Sequence, residues 1–327
     1  MTTIRKSAAL FFALTILANL SPAQALMPTT ARDENWTGIA ASLDGNRLVA
    51  VSYSGEIYVS KNGERWKPVD APPLGWEAVA CSGDGLTIVA CSDYGSIYLS
   101  HDGGDHWTVS MQVAEELLDS VTMSADGRKI AVVNFYDTLV YRSTNSGVSW
   151  QSNSIANLDN YQSFEFPRCI AGSADGVKLM AGSISGTIFS STNSGIDWVP
   201  TSAPTGNWSS VAMSHDGKRS VACDALGGGI YLSHDFGESW EMAKVPGNNW
   251  YAVTGSWDGR VLVAVAGGSD YDDPGPVYSS VDWGDTWQKI PGTARAWYAA
   301  AENGDGTDFY AAVLGGAIYQ GQPIKIH

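Results

Sequence analysis

The sequence is short of the groups on which several classes of protein depend. It has only four cysteines in 327 residues, too few for a disulfide scaffold. Lysine and arginine together number 19 against 34 acidic residues, and the net charge of −15 disfavours a nucleic-acid partner, whose phosphates such a surface repels. The five histidines show no metal-ligand spacing, so we expect no metal site.

Two of the cysteines, Cys81 and Cys91, flank one predicted hairpin turn. They could face each other across it as a disulfide. Two small apolar side chains packed in the core are the alternative, which we favour because free cysteine packs well there.

Long hydrophobic runs are also absent, with one exception at the start of the chain. Ser7–Leu20 is apolar, follows Arg5 and Lys6, and precedes the small-x-small sequence Ala23–Ala25. This order of features predicts a cleavable export signal over residues 1–25 rather than a buried helix. We therefore expect a single domain over residues 26–327, in the secretory pathway or outside the cell, with no membrane association after cleavage.

Glycine (36 residues) and tryptophan (13 residues) are abundant, and many of them recur in two turn sequences. The first, which we call the eight-residue turn, reads SHDGGDHW at Ser100–Trp107. Full copies begin at Ser143, Ser191, Ser233 and Ser280, and a copy shortened by one residue, SKNGERW, covers Ser60–Trp66. The second, the aspartate–glycine turn, ends at Gly45, Gly85, Gly127, Gly176, Gly217, Gly259 and Gly306.

Successive aspartate–glycine turns are 40 to 49 residues apart, with four strand-like segments between them. This period predicts an all-β fold, a seven-bladed β-propeller of four-stranded blades. The last unit supplies only three strands, so we expect residues just before Trp36 to add the fourth and close the ring. An open ring of six blades with a loose C-terminal hairpin is the alternative.

The eight-residue turn has a structural explanation. Its third residue, Asp or Asn, can accept backbone hydrogen bonds, its fifth, Gly, allows a positive φ, and its Trp can pack between sheets. The pattern S-x-[DN]-x-G-x-x-W resembles the Asp-box, or BNR repeat, of sialidases, sortilin-type receptors and photosystem II assembly factors. The resemblance covers essentially the whole chain after residue 25 and implies a propeller, but it does not imply one function.

In a four-stranded blade both kinds of turn lie on one face, and the resemblance places binding sites on the other. His101, His106, His215 and His234 lie in or beside the turns, and the fifth histidine ends the chain, so no histidine base is expected at the site. A sialidase needs an arginine cluster. The binding face offers Arg168 and Arg295, with Arg32 as a possible third, and this argues against that activity.

The binding face is predicted to be aromatic. Five inner strands open with a tryptophan, where the other two units have Leu118 and Pro167. We expect these tryptophans to surround one opening and bind substrate; packing between blades is the alternative. The five are Trp36, Trp76, Trp208, Trp250 and Trp297. The loops between second and third strands add Tyr53, Tyr94, Phe135, Tyr136 and Tyr271.

The residue that follows the opening Trp, Leu or Pro of each inner strand varies most from unit to unit. A ligand without sevenfold symmetry needs residues that differ, so the polar ones are candidate binding residues, with a solvated rim as the alternative. They are Glu77, Asp119, Arg168, Tyr251 and Tyr298.

The acidic loop Ser269–Pro276 could bind calcium or cap the opening, although a plain solvated loop is the simpler interpretation. Asn35 and Asn207 begin Asn-x-Ser/Thr sequences, so we expect glycosylation there, beside the opening.

Two functions from different classes fit these residues. The first is a secreted module that binds a glycan or a protein without catalysis. The second is an enzyme that needs no acid–base machinery, because an aromatic cup can align two apolar reactants and donate hydrogen bonds to a carbonyl oxygen.

The second interpretation rests on a resemblance. The export signal, length, glycosylation sequences and lack of hydrolase residues are similar to those of secreted fungal hetero-Diels–Alderases of tropolone-sesquiterpenoid biosynthesis. The resemblance implies an intermolecular [4+2] cycloaddition of an o-quinone methide with a humulene-type alkene, without a cofactor. Arg168, Tyr251, Tyr298 or Arg295 would then donate to the carbonyl oxygen, and the partners would be small apolar substrates of a monomeric protein.

Overall fold

The computed structural model describes residues 26–113, 117–135, 137–155, 166–267 and 274–324. The predicted export signal, Tyr136, Tyr271 and most of the Ser269–Pro276 loop lie outside these residues. No helix in the described ranges is long and apolar enough to cross a bilayer.

Strands account for all the regular structure in the described residues. The first fourteen are β1 (Met27–Pro28), β2 (Glu34–Ala41), β3 (Leu48–Ser52), β4 (Ile57–Lys61), β5 (Arg65–Pro68), β6 (Trp76–Cys81), β7 (Ile88–Ser92), β8 (Ser96–Ser100), β9 (Thr108–Gln112), β10 (Leu118–Met123), β11 (Ile130–Asn134), β12 (Leu139–Ser143), β13 (Gln151–Ser154) and β14 (Pro167–Gly172). The rest are β15 (Leu179–Ser183), β16 (Ile188–Ser191), β17 (Val199–Pro200), β18 (Trp208–Met213), β19 (Ser220–Asp224), β20 (Gly229–Ser233), β21 (Glu241–Met242), β22 (Trp250–Gly255), β23 (Leu262–Gly267), β24 (Pro274–Ser280), β25 (Gln288–Lys289), β26 (Trp297–Glu302), β27 (Phe309–Gly316) and β28 (Ile318–Gly321).

These strands form antiparallel meanders, as expected of a β-propeller. Five separate sheets have four strands each, in the orders β6–β9, β10–β13, β14–β17, β18–β21 and β22–β25. A further sheet has eight strands and joins the two ends of the chain: β2–β5 follow one another in it, and β26, β27, β28 and β1 make up the rest. The two parts meet where Glu34 pairs with Gly316 and Asn35 with Leu314.

The N-terminal strand pairs with the last strand of the chain. Met27 lies opposite Gln320 and Pro28 opposite Tyr319 in an antiparallel ladder. Residues before Trp36 therefore add an outer strand to the C-terminal hairpin.

The core lies between neighbouring sheets. The second strands, for example Leu48–Ser52 and Ile88–Ser92, are buried at every position. Such strands are covered on both faces, which explains their continuous runs of Val, Ile, Leu and Ala in place of alternation. The fourth strands are mostly exposed, as at Thr108–Gln112.

The eight-residue turn closes as its sequence predicted. The backbone N–H groups of Asp105 and His106 donate to Asp102 Oδ1 at 3.0 and 2.9 Å, and Gly104 N–H donates to Ser100 Oγ at 2.8 Å. Gly104 has φ +96°, a conformation that costs glycine little and other residues more.

All four cysteines are free. Cys81 lies opposite Ile88, and Cys91 lies opposite Ala78, so the two do not face each other across the hairpin. Cys91 is buried and Cys81 is half-buried, close to the packed role favoured from the sequence.

Candidate functional site

A cavity of about 180 Å³ lies where the first strands of the repeat units come together. Each unit contributes three consecutive residues, beginning with the one that follows the opening Trp, Leu or Pro. Those seven leading residues are Thr37, Glu77, Asp119, Arg168, Ser209, Tyr251 and Tyr298. The residues predicted as polar candidates are therefore brought to one cavity, although they are up to 221 positions apart in the sequence.

A β-bulge in each first strand explains this placement. The register with the second strand shifts between Trp76 and Ala78, and the same shift occurs in every unit, for instance between Trp208 and Ser210. The extra residue in each bulge, such as Glu77, is the first of the three that line the cavity. Bulges commonly re-aim a side chain in this way beside functional sites.

The charged and aromatic residues form a connected group on one side of the cavity. Arg168 Nε lies 3.8 Å from Asp119 Oδ2, and Arg168 Nη2 donates to the Tyr251 hydroxyl at 3.2 Å. The rings of Tyr251 and Tyr298 have centroids 4.6 Å apart. The site therefore presents a guanidinium, a carboxylate and two phenols within one contact network.

The acidic residues in the cavity are held towards their protonated forms. Burial, with the nearby charges of Asp119 and Asp93, raises the pKa of Glu77 to about 8. Burial likewise raises the pKa of Asp119 to about 6, although Arg168 opposes this shift. Asp119 Oδ2 is buried and has no hydrogen-bond partner among the described residues. A cation brought beside these two carboxyl groups would stabilise their charged forms.

Two of the leading residues have structural hydrogen bonds instead. Thr37 Oγ1 donates to Trp76 O at 2.6 Å, and Ser209 Oγ donates to Trp250 O at 2.9 Å. Each bond joins one first strand to the next, so these hydroxyls help to hold neighbouring units together.

The predicted aromatic cup is not present, and this part of the sequence interpretation is wrong. Trp36, Trp76, Trp208, Trp250 and Trp297 all have no exposed surface. Each ring packs edge-on against a tyrosine of the third strand in its own unit, as Trp76 does against Tyr98 with centroids 5.5 Å apart. The bulge separates the tryptophan from the cavity-lining residue that follows it, so the indole packs within the core and the cavity wall becomes polar. The recurrence of a Trp with a third-strand Tyr was the sequence signal for this packing.

The other predicted residues lie away from the cavity wall. Tyr53 and Tyr94 are exposed, and Phe135 is half-buried in the loop after β11. Arg295 packs its guanidinium 4.5 Å from the ring centroid of Tyr319 and does not line the cavity.

The two glycosylation candidates differ in setting. Asn35 is half-buried within β2, where its backbone pairs with Leu314. Asn207 is half-buried just before β18, and its side-chain oxygen accepts a hydrogen bond from Ser185 Oγ at 3.4 Å.

Sequence reasoning missed Asp93, a buried carboxylate in the loop after β7. Burial raises its pKa, and a hydrogen bond with Tyr53 opposes that shift. Gly75 permits this arrangement, because a Cβ there would lie 2.7 Å from Asp93 Oδ1. Asp224 occupies the same place in a later unit but accepts hydrogen bonds from the backbone of Asn207 and Leu226.

The cavity does not offer a metal site. No group of three or more His, Cys, Asp or Glu side chains is placed to hold an ion within the residues the structure describes.

Comparison with known proteins supports the fold alone. No protein-family model and no curated protein matches the sequence. The structure is similar to that of the β-propeller YCF48 from Cyanidioschyzon merolae, at 19% identity over 93% of this chain and 100% of that chain, with a TM-score of 0.70. It is also similar to a structure described as YCF48 bound to D1 peptide, at 14% identity over 92% of this chain and 97% of that chain, with a TM-score of 0.68.

Proposed function

We propose that the chain is a binding module whose central cavity receives a basic side chain of a partner peptide or protein. The observation that carries this proposal is the wall of the cavity. It is built from residues that differ from unit to unit. Its two carboxyl groups, Glu77 and Asp119, have raised pKa values, so the positive charge in the cavity is not enough to keep both ionised.

The charges in the cavity and on the protein as a whole favour a basic ligand. Glu77 and Asp119 share the cavity with one cation, Arg168, and Asp93 lies close enough to raise the pKa of Glu77 further. A lysine or arginine side chain would pair with these carboxyl groups and restore their ionised forms. The net charge of −15 would also attract a basic partner over longer distances.

Size and fold agree with this choice. A cavity of about 180 Å³ suits one long side chain better than a whole small molecule, since sites for drug-sized ligands usually span about 300–1,000 Å³. A protein of the same fold is described as bound to a peptide, so the architecture can present a peptide-binding surface.

A peptide array tests the proposal. Wild-type protein, Glu77→Gln and Asp119→Asn are applied to peptides in which each basic residue is also replaced by norleucine. We expect wild-type protein to select peptides with a required Lys or Arg, and each variant to bind them about tenfold or more weakly. Asp70→Asn, which removes an exposed carboxylate outside the cavity, is the matched control.

Selection of peptides without a basic residue would contradict the proposal. Equal binding by wild-type protein, Glu77→Gln and Asp119→Asn would do the same. A glycan array run in parallel tests the alternative that this non-catalytic module binds sugars instead of peptides.

The cycloaddition is the second candidate, and one observation favours it. Three of its four predicted donors, Arg168, Tyr251 and Tyr298, line one cavity and contact one another. The buried tryptophans remove the apolar walls on which it also depended. Incubation with a quinone-methide precursor and humulenol tests it: a chiral adduct formed above the uncatalysed rate would place this activity first.

We further propose that the propeller has seven blades and that its ring is closed. Five blades are the separate four-stranded sheets, and the eight-stranded sheet would be two blades joined edge to edge, β2–β5 and β26–β28 with β1. The contact between β26 and β2 supports this count, since it continues the series of contacts between successive first strands.

Export and glycosylation complete the proposal. An apolar leader over residues 1–25 would direct the chain to the secretory pathway, and Asn35 and Asn207 are the expected acceptors. Mass spectrometry of the secreted protein before and after endoglycosidase treatment checks both sites. Of the two, we expect fuller occupancy at Asn207, because Asn35 lies within a strand that pairs on both sides.

A further inference from the structure

A groove with a volume of about 550 Å³ lies along β4 and β5, on the outer edge of the first repeat unit. Its wall consists of the shortened eight-residue turn and the strand residues on either side of it, together with Arg47 and Asp105. It shares no residue with the central cavity, so its role is independent of the function proposed above.

The groove concentrates positive charge on an acidic protein. Four of the 19 basic residues of the chain line it: Arg47, Lys61, Arg65 and Lys67. Lys67 pairs with Asp105 at 3.5 Å. The other three have no ion pair within the described residues, so their mutual repulsion is relieved only by solvent and by Glu64 nearby. Such a cluster favours an anionic ligand.

The groove is also lined by an unsatisfied hydrogen-bond donor. Trp66 is 9% exposed, and its Nε1–H has no acceptor among the residues described. In three of the five full-length eight-residue turns the equivalent indole donates to the glycine carbonyl of the same turn, as Trp107 does to Gly104 O at 3.1 Å and Trp287 to Gly284 O at 2.9 Å, whereas Trp150 donates to Ser110 Oγ at 2.9 Å. A buried donor left unpaired is destabilising.

This turn differs in length from the full copies. SKNGERW has one residue fewer between its Ser and Trp, and its indole has no acceptor among the described residues. Trp240, in a full-length turn, also lacks an acceptor, but it does not line the groove. Only at Trp66 do an unpaired indole and unpaired cations occur together in one described cavity.

Arg47 is held in place by the neighbouring unit. It is half-buried, and its guanidinium carbon would lie 2.7 Å from a Cβ at Gly103, the residue that faces it from the next eight-residue turn. The glycine therefore leaves the space that the guanidinium fills, and the arginine forms a fixed wall of the groove. A guanidinium fork suits the paired oxygens of a sulfate, phosphate or carboxylate.

We propose that this groove binds an oxyanion group carried by a small ligand. Arg47, Lys61 and Arg65 neutralise its charge, and the ligand lies against the Trp66 side chain in the groove wall. Sulfate, phosphate and carboxylate share this chemistry, and a volume of about 550 Å³ leaves room for the body of the ligand, such as an acidic sugar, beside the charged group.

The indole N–H signal of Trp66 in a nitrogen–proton correlation spectrum reports binding directly. Sodium sulfate, sodium phosphate, sodium acetate and a sulfated disaccharide are titrated in turn, with sodium chloride holding the ionic strength constant. We expect a saturable shift of the Trp66 signal with at least one probe, and the probe that binds most tightly identifies the oxyanion. Trp66→Phe assigns the signal.

The double variant Lys61→Gln/Arg65→Gln removes two exposed charges, so its folding should be unaffected. It should weaken binding about tenfold or more, whereas Lys289→Gln, an exposed lysine outside the groove, should leave it unchanged. A Trp66 signal that does not move with any probe, shifts without saturation, or responds equally in the double variant would overturn the proposal.

Discussion

Glu302 is a buried carboxylate without a partner. Its side chain is 8% exposed, and neither oxygen has a hydrogen-bond partner in the described part of the chain. Burial, with Asp258 and Asp305 nearby, raises its pKa well above the usual range. In the other units this position holds small or apolar residues, such as Met123 and Met213. The residue is therefore expected to destabilise the fold.

Glu302→Met should raise the free energy of unfolding by about 1–3 kcal/mol at neutral pH, since it removes an unsatisfied buried group. Because the folded-state pKa of Glu302 is raised, this residue destabilises the fold least below its unfolded pKa near 4.5, and its cost grows as pH rises towards the folded value. Urea unfolding from pH 4 to 8 should show the two proteins converging at low pH. A difference independent of pH, or a less stable variant, would contradict this explanation.

Glu77 and Asp119 set the expected pH dependence of binding in the central cavity. Their pKa values are about 8 and about 6, and each gains negative charge as pH rises through its value. The affinity for a basic peptide should therefore increase from pH 5.5 to 8.5, with proton release on binding. Calorimetry in buffers of different ionisation enthalpy measures both.

In Glu77→Gln only the step near pH 6 should remain, because only Asp119 still titrates. An affinity that falls across this range, or a profile unchanged in the variant, would argue against these two carboxyl groups as the binding residues.

The first strand of each unit combines structural and functional roles in adjacent residues. Its bulge puts one residue at the cavity and packs the preceding tryptophan inside the core. The order of residues alone did not predict the bulge, because a bulge depends on pairing with the second strand. Variation from unit to unit did identify Glu77, Asp119 and Arg168 as cavity residues, since repetition marks packing and difference marks a site.

Trp76 and Trp208 form a matched pair for testing the structural role. Both are fully buried and pack edge-on against a tyrosine, but only Trp208 Nε1 has a partner, Gly186 O at 3.1 Å. Both substitutions by Phe should destabilise the fold through lost packing. Trp208→Phe should cost about 1 kcal/mol more, because it also removes the indole hydrogen bond to Gly186 O, which then keeps only the Gly206 N–H donor.

Urea unfolding of the two variants measures this difference, and peptide affinity at low temperature should be unchanged in both. If Trp208→Phe lost no more stability than Trp76→Phe, the indole hydrogen bond of Trp208 would not contribute measurably to stability. A large loss of affinity in a folded variant would return the tryptophans to the binding surface.

At the level of the whole molecule, most of the fold could be predicted from the repeat. The aspartate–glycine and eight-residue turns occur at a fixed period, and each has a local hydrogen-bonding explanation, so the meander of each unit followed from local residues. The site could be predicted only in part. The structure brings Glu77, Asp119, Arg168, Tyr251 and Tyr298 to one cavity, but the predicted aromatic cup is absent, because the side to which a strand residue points depends on register. Asp93 was missed because its setting depends on residues distant in sequence, Tyr53 and Gly75. The shortened turn at Trp66 was visible in the sequence, but the charged groove beside it also needs Arg47 and Asp105.

The pairing of the two chain ends predicts a strong effect of an engineered crosslink. Met27 and Gln320 are opposite each other, at a spacing that a disulfide can span. Met27→Cys/Gln320→Cys should oxidise readily and raise the free energy of unfolding by about 4 kcal/mol, since it closes a loop of nearly the whole domain. The stabilisation should disappear with a reductant and be absent in Met27→Cys alone. Failure of the double variant to form the disulfide would contradict ring closure through β1.

The most direct test of the proposed function is a crystal structure of the protein with a peptide selected on the array. We predict that a lysine or arginine side chain of the peptide enters the cavity at the centre of the first strands, with its charged group within about 4 Å of the Glu77 and Asp119 carboxyl oxygens. A peptide bound on the face of the eight-residue turns, or one that leaves this cavity empty, would contradict the account.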